Sequence, residues 1–181
     1  MKKTKGKIIL VGCVATKQEI PCAAKDMYIS PLFKKRRAYA EQEVKNGNAA
    51  SWFIVSSLHT IIDPETVIEP YDKTMKHWGQ DSLYWARCAL TSLGNLCCKV
   101  WGTRISNKSS IIDHTEIAMD NITVEIHAGE DYVKPILAVA ERDKERFVFE
   151  WPVKGLQIGQ SLKYYDDLIN RRKSKRGKSG G

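Results

Sequence analysis

Four short apolar runs, Ile8 to Val11, Phe53 to Val55, Ile122 to Ile126 and Phe147 to Trp151, each hand over abruptly to polar or glycine-bearing residues that begin at Gly12, Ser56, His127 and Pro152. Runs of this length, rich in β-branched and aromatic residues, read as buried strands of a parallel sheet. In an open parallel α/β sheet all strands point the same way, so residues just past their carboxyl ends collect in one crevice where ligands bind. Four separated segments are therefore expected to build one site.

The stretches between the runs supply helices. Lys7 to Gly12 is the first strand, and Cys13 to Pro31 after it is irregular, with two prolines. From Leu32 to Lys45 the pattern turns helical, Leu32, Phe33, Ala38, Ala40 and Val44 standing among charged residues, with Asn46-Gly47-Asn48 as a stop. Ser51 to Ser56 is the second strand, followed by a loop that holds Pro64 and Pro70. Trp78, Leu83, Trp85, Leu90 and Leu93 recur near helical spacing and predict a helix over Thr74 to Cys98, weakened by Gly79 and Gly94. Lys99 to Asp120 are polar and read as an extended loop or an inserted hairpin. The third strand leads through HAGEDY into a helix at Val133 to Asp143. Arg146 to Trp151 is the fourth strand, and Gln160 to Arg172 a last helix whose basic end suits its macrodipole. The alternation predicts a single α/β domain over residues 1–170, three-layered, with a mostly parallel sheet of about four strands.

At 181 residues one domain suffices, since a chain this long buries roughly 70% of the surface its unfolded form exposes. No apolar stretch approaches the ~20 residues of a bilayer span, and MKKTKGK runs directly into a strand, so a cytosolic protein without a membrane partner is expected. The five cysteines, Cys13, Cys22, Cys88, Cys97 and Cys98, are odd in number and form no CxxC pair, which reads as reduced thiols with no metal site. Arg171, Arg172, Lys173, Lys175, Arg176 and Lys178 carry six of the formal +8 charges and leave +2 for the rest. Residues 171–181 are read as a basic, disordered tail that either contacts nucleic-acid phosphates or simply aids solvation.

With these segments in place, the chain resembles an uncharacterised family of bacterial and phage domains of unknown function. The resemblance rests on Cys13 and Lys17 after the first strand, the YxSPLF segment (Tyr28, Ser30, Pro31, Leu32, Phe33) and a second strand ending in Ser56 and His59. It continues through Pro70-Tyr71-Asp72, HAGxxY (His127, Ala128, Gly129, Tyr132) and GLxIGxxL (Gly155, Leu156, Ile158, Gly159, Leu162). Thr60 departs from it, standing where the family has glycine. The family is distantly similar to YaaA-type proteins and to the uracil-DNA-glycosylase-like domain of archaeosine synthases, which implies a glycosylase-like fold and nucleobase or nucleic-acid chemistry. Glycosylases of that fold carry a catalytic carboxylate after the first strand, and GCVATK has none.

The residues themselves offer a set of candidates. His127, at a strand end before a flexible Ala-Gly, is the first choice for an acid or electrostatic group, or else it ties the strand to its loop. His59, Ser56 and Ser57 fit phosphate binding or a proton relay, as well as plain turn capping. Asp63 and Asp72 supply carboxylates that would steer water or hold a ribose, although Asp63 precedes a proline and equally fits turn chemistry. Lys17 suits phosphate; Cys13 is a nucleophile only if its pKa is lowered, and otherwise a small core residue. Tyr28, Tyr71 and Tyr132 offer faces on which a base could stack, worth about 1–3 kcal/mol each. Gly12, Ser30, Gly129 and Gly159 would line the crevice backbone, and Gly159 opens a helix whose N-terminus accepts anions. GCVATK is not a P-loop. No cofactor is called for. The expected function is an enzyme acting at an N-glycosidic bond or modified base, with a nucleobase or nucleotide ligand. The alternatives are a non-enzymatic DNA- or RNA-binding protein and a small-molecule nucleotide sensor or hydrolase of phage counter-defence type.

Overall fold

A computed structural model describes residues 6–75, 80–101, 122–141 and 147–176, with backbone alone from 171 onward. The elements are β1 (Gly6–Gly12), β2 (Cys22–Ala23), α1 (Ala24–Met27), α2 (Pro31–Lys45), β3 (Ser51–Ser56), β4 (Thr60–Ile62), β5 (Val67–Ile68), α3 (Gln80–Trp101), β6 (Ile122–His127), α4 (Glu130–Ala140), β7 (Phe147–Glu150) and α5 (Ile158–Arg176). The architecture is mixed α/β around a five-stranded sheet of order β4-β3-β1-β6-β7.

The four expected strands are the four parallel ones, β3, β1, β6 and β7. From β1 the chain passes outward to β3 on one side and later to β6 on the other. The carboxyl ends of β1 and β6 therefore flank a topological switch point, the place where such sheets bind ligands. Gly12 lets the two strand ends close up there: a Cβ on it would lie 2.7 Å from the Ala128 Cβ.

Three differences from the sequence reading have local causes. The loop after β3 turns back immediately as β4, antiparallel to β3, through a tight turn in which Thr60 has φ 62°. β2 and β5 pair as a two-stranded sheet in segments expected to be irregular. Strands of two or three residues are too short to show alternation. The helices also differ at their ends: Thr74 and Met75 are not helical, α3 continues to Trp101, α4 starts at Glu130, and α5 runs to Arg176. The rest of the predicted loop or hairpin, 102–120, lies outside the described residues. So does Lys178.

Successive residues of β1 are buried on both faces, as a central strand requires. Ile8 and Leu10 join Phe53, Val55, Ile122, Val124 and Ile126 beneath α3 and α4. Ile9 and Val11 join Trp52 and Ile54 beneath α2 and α5, with Phe33, Tyr39 and Tyr165. Among the described residues no helix is long and apolar enough to cross a membrane.

Candidate functional site

Tyr71 organises the carboxyl ends of β1 and β3. Its hydroxyl lies 2.9 Å from that of Tyr28 and 2.8 Å from Ser56 Oγ, its ring meets the His59 ring edge-on at 5.2 Å, and Lys17 Nζ sits 4.4 Å from its centroid. Ser56 Oγ in turn accepts the backbone N–H groups of Leu58 and His59, which closes the turn. Ser57 donates to the Lys73 carbonyl and so fastens the segment after Tyr71 over the sheet end. Burial raises the pKa of Tyr28, Tyr71 and Tyr132 and lowers that of His59. The tyrosines stay protonated and His59 stays neutral near pH 7, which makes this a cluster of uncharged donors and acceptors beside one cation. His59 Nε2 is buried and has no hydrogen-bond partner among the described residues.

Beside this cluster opens a cleft of about 190 Å³, lined by Cys13, Lys17, Lys73, Thr74, Asp131 and Tyr132 among others. Cys13 Sγ and Tyr132 OH are 3.2 Å apart at its base. Of the residues expected to share one site, Cys13, Lys17, Tyr28, Ser56, Ser57, His59, Tyr71 and Tyr132 lie together here, whereas the segment that follows the fourth strand borders a different cleft, so the four strand ends do not build one site. Sequence reasoning missed Lys73, Thr74 and Asp131. For Asp131 a signal existed, the two adjacent acids that open a helix directly after the Ala-Gly turn.

His127 takes a different position. Its ring is fully buried under α2 and α5, with Nδ1 2.7 Å from Tyr165 OH and Nε2 2.7 Å from Glu125 Oε1. Tyr39 OH donates to the same Glu125 oxygen at 2.7 Å, and Lys7 Nζ lies 2.6 Å from the other. Burial penalises the Glu125 carboxylate, but hydrogen bonds from His127, Lys7 and Tyr39 overcome this and hold it at about 2. The same burial, reinforced by the positive charges of Arg36 and Lys7, outweighs Glu125 and lowers the pKa of His127. The ring is then neutral, donating from Nε2–H to Glu125 and accepting from Tyr165 at Nδ1. Both nitrogens are engaged, so an open acid group at this position is not what the ring offers. The signal for this network was legible: β6 places Thr123, Glu125 and His127 at alternate positions, a polar stripe inside a buried strand.

The remaining candidates have structural engagements. Ser30 Oγ caps α2 by accepting the Phe33 N–H at 3.2 Å, with Pro31 at the first helical position. Asp63 Oδ1 accepts the Glu65 N–H at 2.9 Å, the turn chemistry its place before proline allows. Asp72 is exposed. Gly129 is the N-cap of α4 and Gly159 lies in the first turn of α5; both border or adjoin a second cleft, of about 270 Å³. Arg171, Arg172, Lys173, Lys175 and Arg176 lie on the last turns of α5. Cys13, Cys22, Cys88, Cys97 and Cys98 are free thiols, and no cluster of metal-binding side chains lies among the described residues.

Neither curated proteins nor solved structures give a match to the chain. Among protein families, residues 8–167 match one described as a family of unknown function (DUF6884). This span runs from β1 into α5 and takes in the whole strand-end cluster, so the chain belongs to that family.

Proposed function

We propose that the protein recognises a nucleotide, free or turned out of a polymer, in the cleft at the carboxyl end of β1, and hydrolyses its N-glycosidic bond. The observation that carries this is the company kept in one small cleft: two lysines, one carboxylate, and a thiol-tyrosine pair at a switch point. Lys17 and Lys73 supply the charge for a phosphate. The carboxylate missing from GCVATK comes from α4: Asp131 is the group to accept a proton from the attacking water. His127 is a positioning residue that holds the end of β6. A kinship with glycosylase-like folds is part of the same proposal.

Calorimetric titration with nucleoside monophosphates and short single-stranded oligonucleotides tests it. Binding should weaken at least tenfold in Lys17→Ala and Lys73→Ala, while Asp131→Asn retains affinity and loses base release. Binding by wild type and Asp131→Asn without any base release would reduce the reading to a non-enzymatic binding protein. No binding of either ligand class would end it.

A further inference from the structure

The second cleft lies where two helices begin. It is bordered by Gly129 at the start of α4, by Gly155 and Ile158 at the start of α5, and by Arg36, Ser161 and Trp151. The first backbone N–H groups of a helix have no partner inside it and carry the positive end of its dipole. Gly129 gives α4 no side-chain cap, although Glu130 and Asp131 stand in its first turn; the first turn of α5 holds no acidic residue.

Arg36 adds a buried cation. It projects from α2 into this wall and is 7% exposed, yet its Nε has no hydrogen-bond partner among the described residues. Its guanidinium does donate to the Tyr165 hydroxyl, but among the described residues it forms no ion pair with a carboxylate. A buried guanidinium without a counter-ion is costly, and its fork of donors matches the oxygens of a phosphate. At the rim, Lys154 lies 5.9 Å from the Trp151 ring centroid and adds a further positive charge. Among the described residues of the lining the one carboxylate, Glu130, is paired with Lys134 one helical turn on.

We propose that this cleft is a second ligand site, distinct from the Lys17–Lys73 cleft, which binds a phosphate group between Arg36 and the N-termini of α4 and α5. The phosphate replaces the counter-ion that Arg36 lacks and takes up the free N–H groups of both helices. Arg36 also hands the site to the interior. It donates to Tyr165, whose hydroxyl donates to His127, which donates to Glu125, so a phosphate here abuts the chain of bonds that fixes β6.

Occupancy of this cleft is independent of what the first cleft binds, and amide-resolved NMR titration of the full chain keeps the two apart. Inorganic phosphate and a five-nucleotide single-stranded DNA are the two probes. Saturable shifts are expected at the amides of Glu130, Ile158 and Gly159. Two variants report on them. Arg36→Met keeps the stem and removes the charge; Ile158→Asp changes an exposed side chain, suits the start of a helix and places a carboxylate at the mouth. Each should weaken the shifts at these amides at least tenfold, with Ile158→Asp retaining the wild-type spectrum elsewhere. Tighter binding of the oligonucleotide at the same amides would make a polymer backbone the source of the phosphate; response to phosphate alone would make it a small phosphorylated molecule. Shifts that persist in Ile158→Asp, or no shifts with either probe, would overturn the proposal.

Discussion

The two faces of β6 share one backbone and solve opposite problems. Towards α3 and α4 it presents Ile122, Val124 and Ile126, which join an apolar core; towards α2 and α5 it presents Thr123, Glu125 and His127, buried almost as completely. The first face gains from leaving water at roughly 25 cal/mol per Å² and asks little of geometry. On the second each polar group must find partners, and Lys7, Tyr39, Glu125, His127 and Tyr165 do so at 2.6–2.7 Å. Volume and oiliness specify one side, whereas direction and protonation specify the other. The exacting side is also the one that reaches a cleft, through Arg36.

Removing Glu125 should strike hardest. Glu125→Ala leaves Lys7, Tyr39 and His127 with donors aimed at an empty acceptor, and breaking a buried pair of this kind costs about 3–5 kcal/mol. On the apolar face Ile136→Val, at a fully buried position, should cost only about 0.5–1.5 kcal/mol. Urea denaturation of both variants measures the contrast. Equal costs would mean that the polar network is no more demanding than ordinary packing.

Next in size is a pH effect confined to one face. The folded state lowers the pKa of His127 and holds Glu125 at about 2, so folding binds fewer protons than the unfolded chain does. Stability from both groups is present at neutral pH and lost on acidification, first below about 6.5 as the unfolded histidine protonates, then between about 4.5 and 2 for the carboxylate. The loss per proton is at most about 1.4 kcal/mol for each pH unit. His59, whose pKa burial also lowers, adds to the upper part with the same sign. Stability measured from pH 7.5 to 5 should therefore fall less steeply in His127→Gln than in wild type, and Ile136→Val should keep the wild-type slope. An unchanged slope in His127→Gln would place a charged imidazole in the folded state.

The same contrast explains what could be read from sequence. The apolar runs located all four parallel strands and the ends where the cleft forms, because hydrophobic burial is written locally in period and run length. The cluster of Lys17, Ser56, His59 and Tyr71 followed from those strand ends. The placement of His127 did not, because which face a strand-end residue takes depends on the parity of the strand, and the apolar run around it hides the alternation of Thr123 and Glu125. Arg36 was hidden for a related reason. On α2 it is one of four consecutive cations, Lys34 to Arg37, and only the docking of α5 over it distinguishes it from neighbours that reach solvent or pair with Asp26, Glu41 and Asp166.

The smallest effect sharpens the contrast from the apolar side, at the turn into β4. Thr60 holds φ at 62°, a conformation that costs a β-branched residue about 1–2 kcal/mol and that glycine adopts freely. The strain is offset locally, since Thr60 Oγ1 lies 2.6 Å from the His59 carbonyl and 2.9 Å from Ser92 Oγ on α3. Thr60→Ala loses those bonds and keeps the strain; Thr60→Gly loses the same bonds and releases it. The glycine variant should therefore be more stable than the alanine variant by about 1 kcal/mol in thermal melts, with no difference in pH dependence between them. If alanine proved the more stable, the turn would have rearranged around the smaller side chains, and the fixed position of His59 beside Tyr71 would go with it.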